Sequence, residues 1–198
     1  MGDHNQLFFA QHFLKDQFQS ILDIGSKDYG SYASPMNFRN YFKKCKNYIG
    51  VDMEDGKDVD VVIDLTKTTE PLEPNFFDLI ICCSVLEHVD APWLFANNIN
   101  KLSSKGGLLY IAVPFVWRFH GYPNDYFRYT HNGIKKLFNG YSWDRSFAAT
   151  YQQGKLLEIK NNFQEICDKL SRMQYDEKNK PIAKYLSYIQ VLMIGKKL

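Results

Sequence analysis

The stretch Ile21-Leu-Asp-Ile-Gly-Ser-Lys-Asp-Tyr-Gly30 constrains the fold of this chain more than any other. Apolar residues surround Asp23, and a glycine and a short polar loop follow directly. This pattern is typical of a buried parallel strand whose end meets a small ligand, because glycine lets the backbone approach closely. We therefore expect a ligand site at the end of this first strand.

Further apolar runs follow, and amphipathic segments alternate with them. The patterns predict strands at 20–24, 48–52, 59–64, 78–84, 108–113, 142–152 and 188–194, and helices at 5–19, 35–46, 134–138 and 155–175. A further helix is expected to have Asp90 as its N-cap and to stop at Gly106-Gly107, and the polar run 174–180 is expected to be a loop. The run 78–84 lacks alternation, as expected for a central strand covered on both faces. Strands alternating with helices predict an α/β fold with a parallel sheet.

Three successive predicted strands end in a carboxylate, at Asp23, Asp52 and Asp64. In an open α/β sheet, ligands bind beyond the carboxyl ends of the strands, where the strand order reverses. Three acids at that edge suit a ligand that donates hydrogen bonds from hydroxyl and amine groups. Each acid alone also fits a turn or helix cap.

Length, charge and cysteine spacing exclude several classes of protein. With 198 residues we expect a single domain, and a net charge of +2 gives no basic face for nucleic acid. The four cysteines lack metal-site or redox spacing, which is typical of buried thiols in a reducing compartment. No leader pattern and no apolar run of about 20 residues is present. We therefore expect a cytoplasmic protein with no membrane or nucleic-acid partner.

Several motifs together resemble one known family. They are Leu22-Asp-Ile-Gly25, Gly50-Val-Asp52, Ile63-Asp-Leu65, the run 77–89 with its Leu-Glu-His signature, and the Gly-Gly-x-Leu strand that ends at Pro114. Over about residues 20–131 the chain resembles class I S-adenosylmethionine-dependent methyltransferases that act on small molecules. The resemblance implies a Rossmann-like, doubly wound, mostly parallel seven-stranded sheet with helices on both faces. It also implies S-adenosylmethionine as cofactor, with S-adenosylhomocysteine as product.

The same resemblance implies roles for individual residues. Asp23 and the backbone from Ile24 to Ser26, Gly25 included, would hold the methionine moiety. Asp52 would accept hydrogen bonds from both ribose hydroxyls, and Met53 would pack on adenine. Asp64 would accept from the adenine amino group beside the Leu65 amide, while Ser84 and Val85 would form the floor under the sulfonium.

The glycine loop departs from the family pattern. The family usually has D-x-G-x-G-x-G, whereas this chain has one glycine fewer between Gly25 and Gly30. Either the loop takes another path over the methionine end, or the affinity for the cofactor is lower. Tyr29 is a candidate contact in this loop.

The segment after the fifth strand is rich in aromatic residues and also carries titratable ones. His120 is the first candidate for the base that deprotonates the acceptor, and Asp125 would orient it or bind the acceptor. His88 is the second candidate base, or it shapes the floor under the sulfonium. The candidates for contacts with the acceptor are Trp117, Tyr122, Tyr126 and Arg128. Arg128 would hold an anionic group of the acceptor, or it forms an internal ion pair with Asp125.

These observations predict an enzyme that methylates a hydroxyl of a small polar acceptor. The resemblance suggests a sugar, or a sugar-linked or phosphorylated metabolite of surface-polysaccharide biosynthesis. A non-catalytic protein with the same fold and an N-methyltransferase for a small amine are the alternatives. We expect no metal, because no His, Asp or Glu cluster has a convincing spacing. In the predicted single domain, 1–19 is an N-terminal helix, 20–113 the cofactor-binding half and 114–198 the acceptor-side half.

Overall fold

The computed structural model describes residues 4–15, 18–28, 38–121, 123–150, 152, 154–160, 162–186 and 188–198. The strands are β1 (Ser20–Ile24), β2 (Asn47–Asp52), β3 (Val61–Val62), β4 (Phe77–Cys83), β5 (Ser103–Val116), β6 (Tyr141–Ala149), β7 (Leu156–Glu158), β8 (Ser171–Tyr175), β9 (Pro181–Leu186) and β10 (Ile189–Lys197). The helices are α1 (His4–Phe13), α2 (Phe38–Tyr41), α3 (Pro92–Leu102), α4 (His131–Leu137) and α5 (Phe163–Leu170). A 3₁₀ turn covers Leu86–His88.

Eight strands form the main sheet, in the order β3-β2-β1-β4-β5-β10-β6-β7. The first five in this order run parallel, and β10 is antiparallel to both of its neighbours, β5 and β6. Strand order reverses between β1 and β4, which pair directly. This reversal is the switch point at which α/β sheets bind ligands, so it fixes where the site should be.

The core has two layers, one on each face of the sheet. Along β4, Leu79 and Ile81 pack on the same face as α1 and α2, and Ile80 and Cys82 pack on the face that α3 and α4 cover. All four side chains are fully buried. This arrangement explains why β4 reads as an unbroken apolar run, and it confirms the predicted α/β fold with helices on both faces.

The second half of the chain differs from the sequence-based expectation. The sheet has eight strands rather than seven, because β7 adds an antiparallel strand beside β6. The helix predicted at 155–175 is wrong: that segment contains β7, α5 and β8. Leu157 of β7 pairs with Ala148, and the side chain of Asn162 then caps α5 by accepting from the Glu165 amide. The polar run after β8 is the turn of a separate two-stranded sheet made by β8 and β9.

Some predicted boundaries also change. α3 has Ala91 rather than Asp90 at its N-cap, and it ends at Leu102, four residues before Gly106. β3 has only two residues. Within the described part of the predicted 35–46 helix, only the short α2 is helical. Among the described residues, no helix has the length and apolar character required to cross a membrane.

Candidate active site

The loop after β1 is fixed against the neighbouring strand β2. The backbone amides of Gly25 and Ser26 both donate to the Val51 carbonyl, at 2.8 and 3.1 Å. Gly25 has a φ of +75°, and a Cβ atom there would lie 2.3 Å from Cγ2 of Val85. The motif therefore needs glycine at this position for two reasons, the left-handed backbone and the contact with the end of β4. This contact joins the Gly25 loop to the floor predicted from Val85.

Asp23 lies at the end of β1 but points toward a side chain on β2. The Tyr48 hydroxyl donates to Oδ2 of Asp23 at 2.6 Å. Burial raises the pKa of Asp23 to about 7, although the Tyr48 hydrogen bond opposes the shift. Asp23 is therefore part of an interstrand pair, and its contact with the methionine moiety stays a prediction.

Asp52 and Met53 follow the end of β2. Asp52 accepts from the Glu54 amide at 3.1 Å and more weakly from the Lys27 amide at 3.4 Å. Each carboxylate oxygen can accept more than one hydrogen bond, so both keep capacity for a ligand. The Met53 side chain is 62% exposed. A carboxylate beside an uncovered apolar side chain fits a nucleoside, whose ribose needs hydrogen-bond acceptors and whose base needs an apolar surface.

Asp64 already has several partners within its own turn. Its Oδ1 accepts from the amide and hydroxyl of Thr66 at 2.9 and 2.6 Å, and Oδ2 pairs with Lys67 at 2.7 Å. Nearby, the Asn98 side chain donates to the Leu65 carbonyl at 2.9 Å. These contacts correspond to the turn-capping alternative for Asp64, and its role toward adenine stays a prediction.

Gln6, to which the sequence assigned no role, contacts Ser84 in the predicted floor at the end of β4. Ser84 has a φ of +55°, and its amide donates to the Ala112 carbonyl at 2.8 Å. From α1, the Gln6 side chain donates to Oγ of Ser84 at 2.8 Å, and Gln6 is only 1% exposed. Asn5 is fully buried and anchors the same helix to the Thr150 carbonyl. The only signal in the sequence is two amide side chains at the start of an otherwise apolar helix.

The segment after β5 is organised by Asp125 and Arg128. Two guanidinium nitrogens of Arg128 contact the two carboxylate oxygens of Asp125. Arg128 also donates to the carbonyls of Trp117, Arg118 and Phe127. The guanidinium nitrogens thus donate to partners within the segment, as in the ion-pair alternative, and few of their hydrogens remain to bind an anionic group of the acceptor. The hydrogen bonds from Arg128 hold the pKa of Asp125 well below its usual range.

Both candidate bases have one ring nitrogen fixed. The backbone amide of His120 donates to Oδ2 of Asp125 at 2.8 Å, and Nδ1 of the same histidine lies 3.2 Å from that oxygen. Nδ1 of His88 lies 2.5 Å from the Asn124 carbonyl. The two imidazole rings are 5.0 Å apart and nearly perpendicular.

Glu87 lies between the two histidines and is 1% exposed. Its Oε1 is 3.9 Å from Nε2 of His88 and 4.0 Å from Nε2 of His120, and its Oε2 has no hydrogen-bond partner among the described residues. Burial raises the pKa of Glu87 to about 7. The Glu87 carbonyl accepts from the amides of Tyr126 and Phe127, which ties the acceptor-side segment to the turn after β4. Glu87 was visible in the Leu-Glu-His signature, but the sequence assigned it no role.

The structure describes two of the aromatic candidates for acceptor contacts. Trp117 packs edge-to-face on Tyr188 with ring centroids 4.8 Å apart, and Tyr126 is 46% exposed. The candidates Tyr29 and Tyr122 lie outside the described residues.

Comparisons with known proteins identify the family and the fold. The family described as "Methyltransferase domain" matches residues 4–152. A putative methyltransferase from Bacillus halodurans has a similar structure, with a TM-score of 0.65, 12% identity and 98% of each chain covered. No curated protein matches.

Two further similar structures contain S-adenosylhomocysteine. The 1,6-didemethyltoxoflavin-N1-methyltransferase of Burkholderia thailandensis has a TM-score of 0.57 and 13% identity, over 98% of this chain and 76% of that one. The N-methyltransferase NodS of Bradyrhizobium japonicum has a TM-score of 0.56 and 13% identity, over 98% of this chain and 85% of that one. At these identities the structures show the shared fold, while the family match covers most of the chain. S-adenosylmethionine is the cofactor, and the chain belongs to the class I S-adenosylmethionine-dependent methyltransferase family.

Proposed function

We propose that this methyltransferase acts on a nucleophilic atom of a small polar acceptor, and that His120 removes the proton from that atom. The observation that carries this proposal is the pairing of His120 with Asp125 beside the end of β4. The sequence favours a hydroxyl acceptor, such as a sugar or a sugar-linked or phosphorylated metabolite. S-adenosylmethionine supplies an electrophilic methyl group when it is bound, and Asp52, Met53 and the Gly25 loop are the residues that would hold it.

His120 has the arrangement that a general base requires. Nδ1 is directed to Asp125, so the neutral ring has its proton there and the lone pair on Nε2. When Nε2 takes a proton, the ring becomes an imidazolium, and an ionised carboxylate at 3.2 Å stabilises that charge. Arg128 keeps Asp125 ionised through its hydrogen bonds. Asp125 is therefore a positioning residue that acts through His120.

Two features support catalysis over the non-catalytic alternative. His88, His120 and Glu87 converge on one place, and the Asp125–Arg128 pair fixes the segment that carries His120. A protein that only binds a ligand would not need a base with a fixed tautomer.

An amine acceptor is the second candidate. Two of the structural neighbours are N-methyltransferases, so the fold accommodates nitrogen acceptors. The convergence of Glu87, His88 and His120 favours this candidate, because an amine can donate more than one hydrogen bond to them.

The experiment that tests the proposal compares His120→Ala with the wild type in methyl transfer from labelled S-adenosylmethionine to a panel of sugars, amino sugars, nucleotide sugars and small amines. We expect turnover to fall by about 10²-fold or more, because general-base catalysis typically contributes that much. S-adenosylhomocysteine binding should stay unchanged. His4→Ala is the control, since His4 is exposed on α1. Wild-type turnover in His120→Ala would contradict the assignment of the base.

A further inference from the structure

We infer that the acceptor atom enters this site as a protonated amine, held by Oε1 of Glu87, Nε2 of His88 and Nε2 of His120. This inference rests on the proposed methyltransferase function and specifies its substrate class. The three residues belong to the turn after β4 and to the segment after β5, and each offers a ligand atom within 4.8 Å of the others. Oε1 of Glu87 lies 3.9 Å from Nε2 of His88 and 4.0 Å from Nε2 of His120.

The imidazole rings of His88 and His120 are each held in one tautomer. Nδ1 of His88 is hydrogen-bonded to the Asn124 carbonyl, and a carbonyl can only accept. Nδ1 of His120 faces the Asp125 carboxylate and the Arg118 carbonyl, which also only accept. Each neutral ring therefore has its proton on Nδ1 and a lone pair on Nε2. Burial also lowers the pKa of His88, which favours its neutral form.

When Glu87 is ionised, three hydrogen-bond acceptors converge without a donor. Two imidazole lone pairs and one carboxylate oxygen face the same place, and the distances of 3.9 and 4.0 Å from Glu87 are too long for direct hydrogen bonds. A hydroxyl has one hydrogen to donate, so it satisfies one of the three acceptors. A primary ammonium group has three donors in a tetrahedral arrangement and satisfies all of them.

The spacing is compatible with either an ammonium nitrogen or a transition metal. Donors from one tetrahedral nitrogen at about 2.8 Å would reach acceptors separated by about 4.6 Å. Ligands of a tetrahedral zinc ion at about 2.1 Å would be separated by about 3.4 Å. The separations of 3.9 and 4.0 Å from Oε1 of Glu87 lie between these two values. The tautomers and the charges of the site therefore carry the inference, and a chelator tests the metal alternative.

The charges of the site also favour a cation. Among the described residues, no lysine or arginine pairs with Glu87, and Arg128 is already matched to Asp125. Oε2 of Glu87 is buried and has no partner there. A bound ammonium group would place a positive charge directly at Oε1, in addition to the longer-range effect of Arg128, and would favour ionised Glu87.

The chemical step balances with these groups alone. Nε2 of His120 takes one proton from the ammonium group, which leaves a neutral amine whose lone pair first points toward His120. The amine then reorients so that this lone pair faces the methyl carbon, and Glu87 keeps a hydrogen bond from one of the two remaining hydrogens. The nitrogen lone pair forms the N–C bond to the methyl carbon as the C–S bond breaks, and its electron pair goes to sulfur. The products are a protonated methylamine and S-adenosylhomocysteine, and His120 then releases its proton to solvent.

The first test does not require the natural acceptor. Nitrogen-15 NMR of histidine-labelled protein, in complex with S-adenosylhomocysteine at pH 8, reports the tautomer of each ring. We expect both His88 and His120 to carry the proton on Nδ1, and the His88→Gln and His120→Gln variants assign the signals. A proton on Nε2 of either ring would remove an acceptor and overturn the inference.

The second test uses matched acceptors with full-length protein and labelled S-adenosylmethionine. Glucosamine is compared with glucose, and 2-phenylethylamine with 2-phenylethanol. We expect at least one amine to be methylated tenfold or more faster than its alcohol partner, and Glu87→Gln to reduce that rate at least tenfold. Glu73→Gln is the control, because Glu73 is exposed and lies outside the cluster.

The outcomes separate the two proposals. Equal or faster methylation of the alcohols, or no preference for an amine in either pair, would overturn the amine inference. Methyl transfer to alcohols that still depends on His120 would leave the proposed function intact. A wild-type rate in His120→Ala would instead contradict the proposed function itself. Loss of amine methylation on treatment with a chelator, restored by zinc, would assign the cluster to a metal and would also overturn the inference.

Discussion

Oδ2 of Asp125 lies 3.2 Å from Nδ1 of His120, and Arg128 holds that carboxylate through two guanidinium nitrogens. The three residues belong to one segment without regular secondary structure, between β5 and α4. Arg128 makes four hydrogen bonds to nearby carbonyls and an ion pair with Asp125, and these contacts replace the backbone ladder that a helix or strand would provide. The orientation of the candidate base His120 therefore depends on Arg128. Substitution of Arg128 tests the acceptor site as substitution of His120 does.

Arg128→Lys should destabilise the protein by about 1–3 kcal/mol, because lysine cannot reproduce the planar, bidentate pairing with Asp125. It should also lower turnover while leaving S-adenosylhomocysteine affinity unchanged. Urea denaturation and steady-state kinetics measure the two effects. Arg145→Lys is the matched control, since Arg145 is exposed and lies over the Phe13 ring. Equal stability of the two variants would show that the Asp125 pairing does not organise the segment.

Asp52→Asn should weaken S-adenosylhomocysteine binding by about tenfold or more. The substitution replaces one of the two carboxylate oxygens, which would accept hydrogen bonds from the ribose, with an NH₂ group that can only donate. Calorimetry at fixed ionic strength measures the change. Asp55→Asn, in the exposed turn that follows, is the control. An Asp52→Asn protein with wild-type affinity would mean that the ribose does not contact this residue.

Gly25→Ala and Gly154→Ala form a matched pair, since the two glycines have φ values of +75° and +76°. A Cβ at Gly25 would lie 2.3 Å from Val85, whereas at Gly154 the nearest atom is 3.7 Å away on Phe8. Both variants should lose about 1–2 kcal/mol from the left-handed backbone. Only Gly25→Ala should lose more stability and also cofactor binding.

A second substitution tests the cause of this difference. Val85→Ala in the Gly25→Ala background removes the atom that the new Cβ would meet, so it should restore part of the lost affinity. Thermal unfolding and calorimetry together distinguish the clash from the backbone strain. Identical losses in the two single variants would mean that the contact between Gly25 and Val85 has no energetic importance.

The pH dependence of the free energy of unfolding should show the raised pKa of Glu87. Burial raises its pKa in the folded state to about 7, compared with 4.5 for an ordinary glutamate. Between these values the folded protein binds more protons than the unfolded chain, so the free energy of unfolding falls as pH rises. Glu87→Gln removes this group and should be more stable than the wild type above pH 7, by about 1–3 kcal/mol. Below pH 4.5 this advantage should disappear.

Chemical denaturation from pH 4 to pH 8 measures this difference. Burial also raises the pKa of Asp23 to about 7, and its contribution remains in both proteins. The comparison between Glu87→Gln and the wild type therefore isolates Glu87. A difference in stability that does not change with pH would contradict the buried, raised-pKa state of this carboxyl group.

Local patterns predicted the parts of the fold that depend on neighbouring residues in sequence. The apolar run of β4 and the glycine after β1 have the structure that their sequences predict, because continuous burial and a left-handed turn are each written in a few adjacent residues. The family motifs depend on the same segments. The Asp125–Arg128 pair could also be anticipated, since its partners are only three positions apart.

Contacts between distant residues could not be predicted in this way. Gln6 reaches Ser84 across 78 positions, and nothing in either local sequence identifies the partner. The region 155–175 has apolar residues at helix-like intervals, yet pairing of Leu157 with Ala148 on the sheet edge determines β7. Asp64 was ambiguous from the start, because the same carboxylate can cap a turn or bind a ligand.

The measurement that tests the central claim most directly is calorimetric titration of the purified protein with S-adenosylhomocysteine, and separately with NAD. The account predicts S-adenosylhomocysteine binding with a Kd on the order of 10 μM or tighter, and no binding of NAD. Failure to bind S-adenosylhomocysteine would mean that the altered glycine loop closes the cofactor pocket, and it would contradict the account.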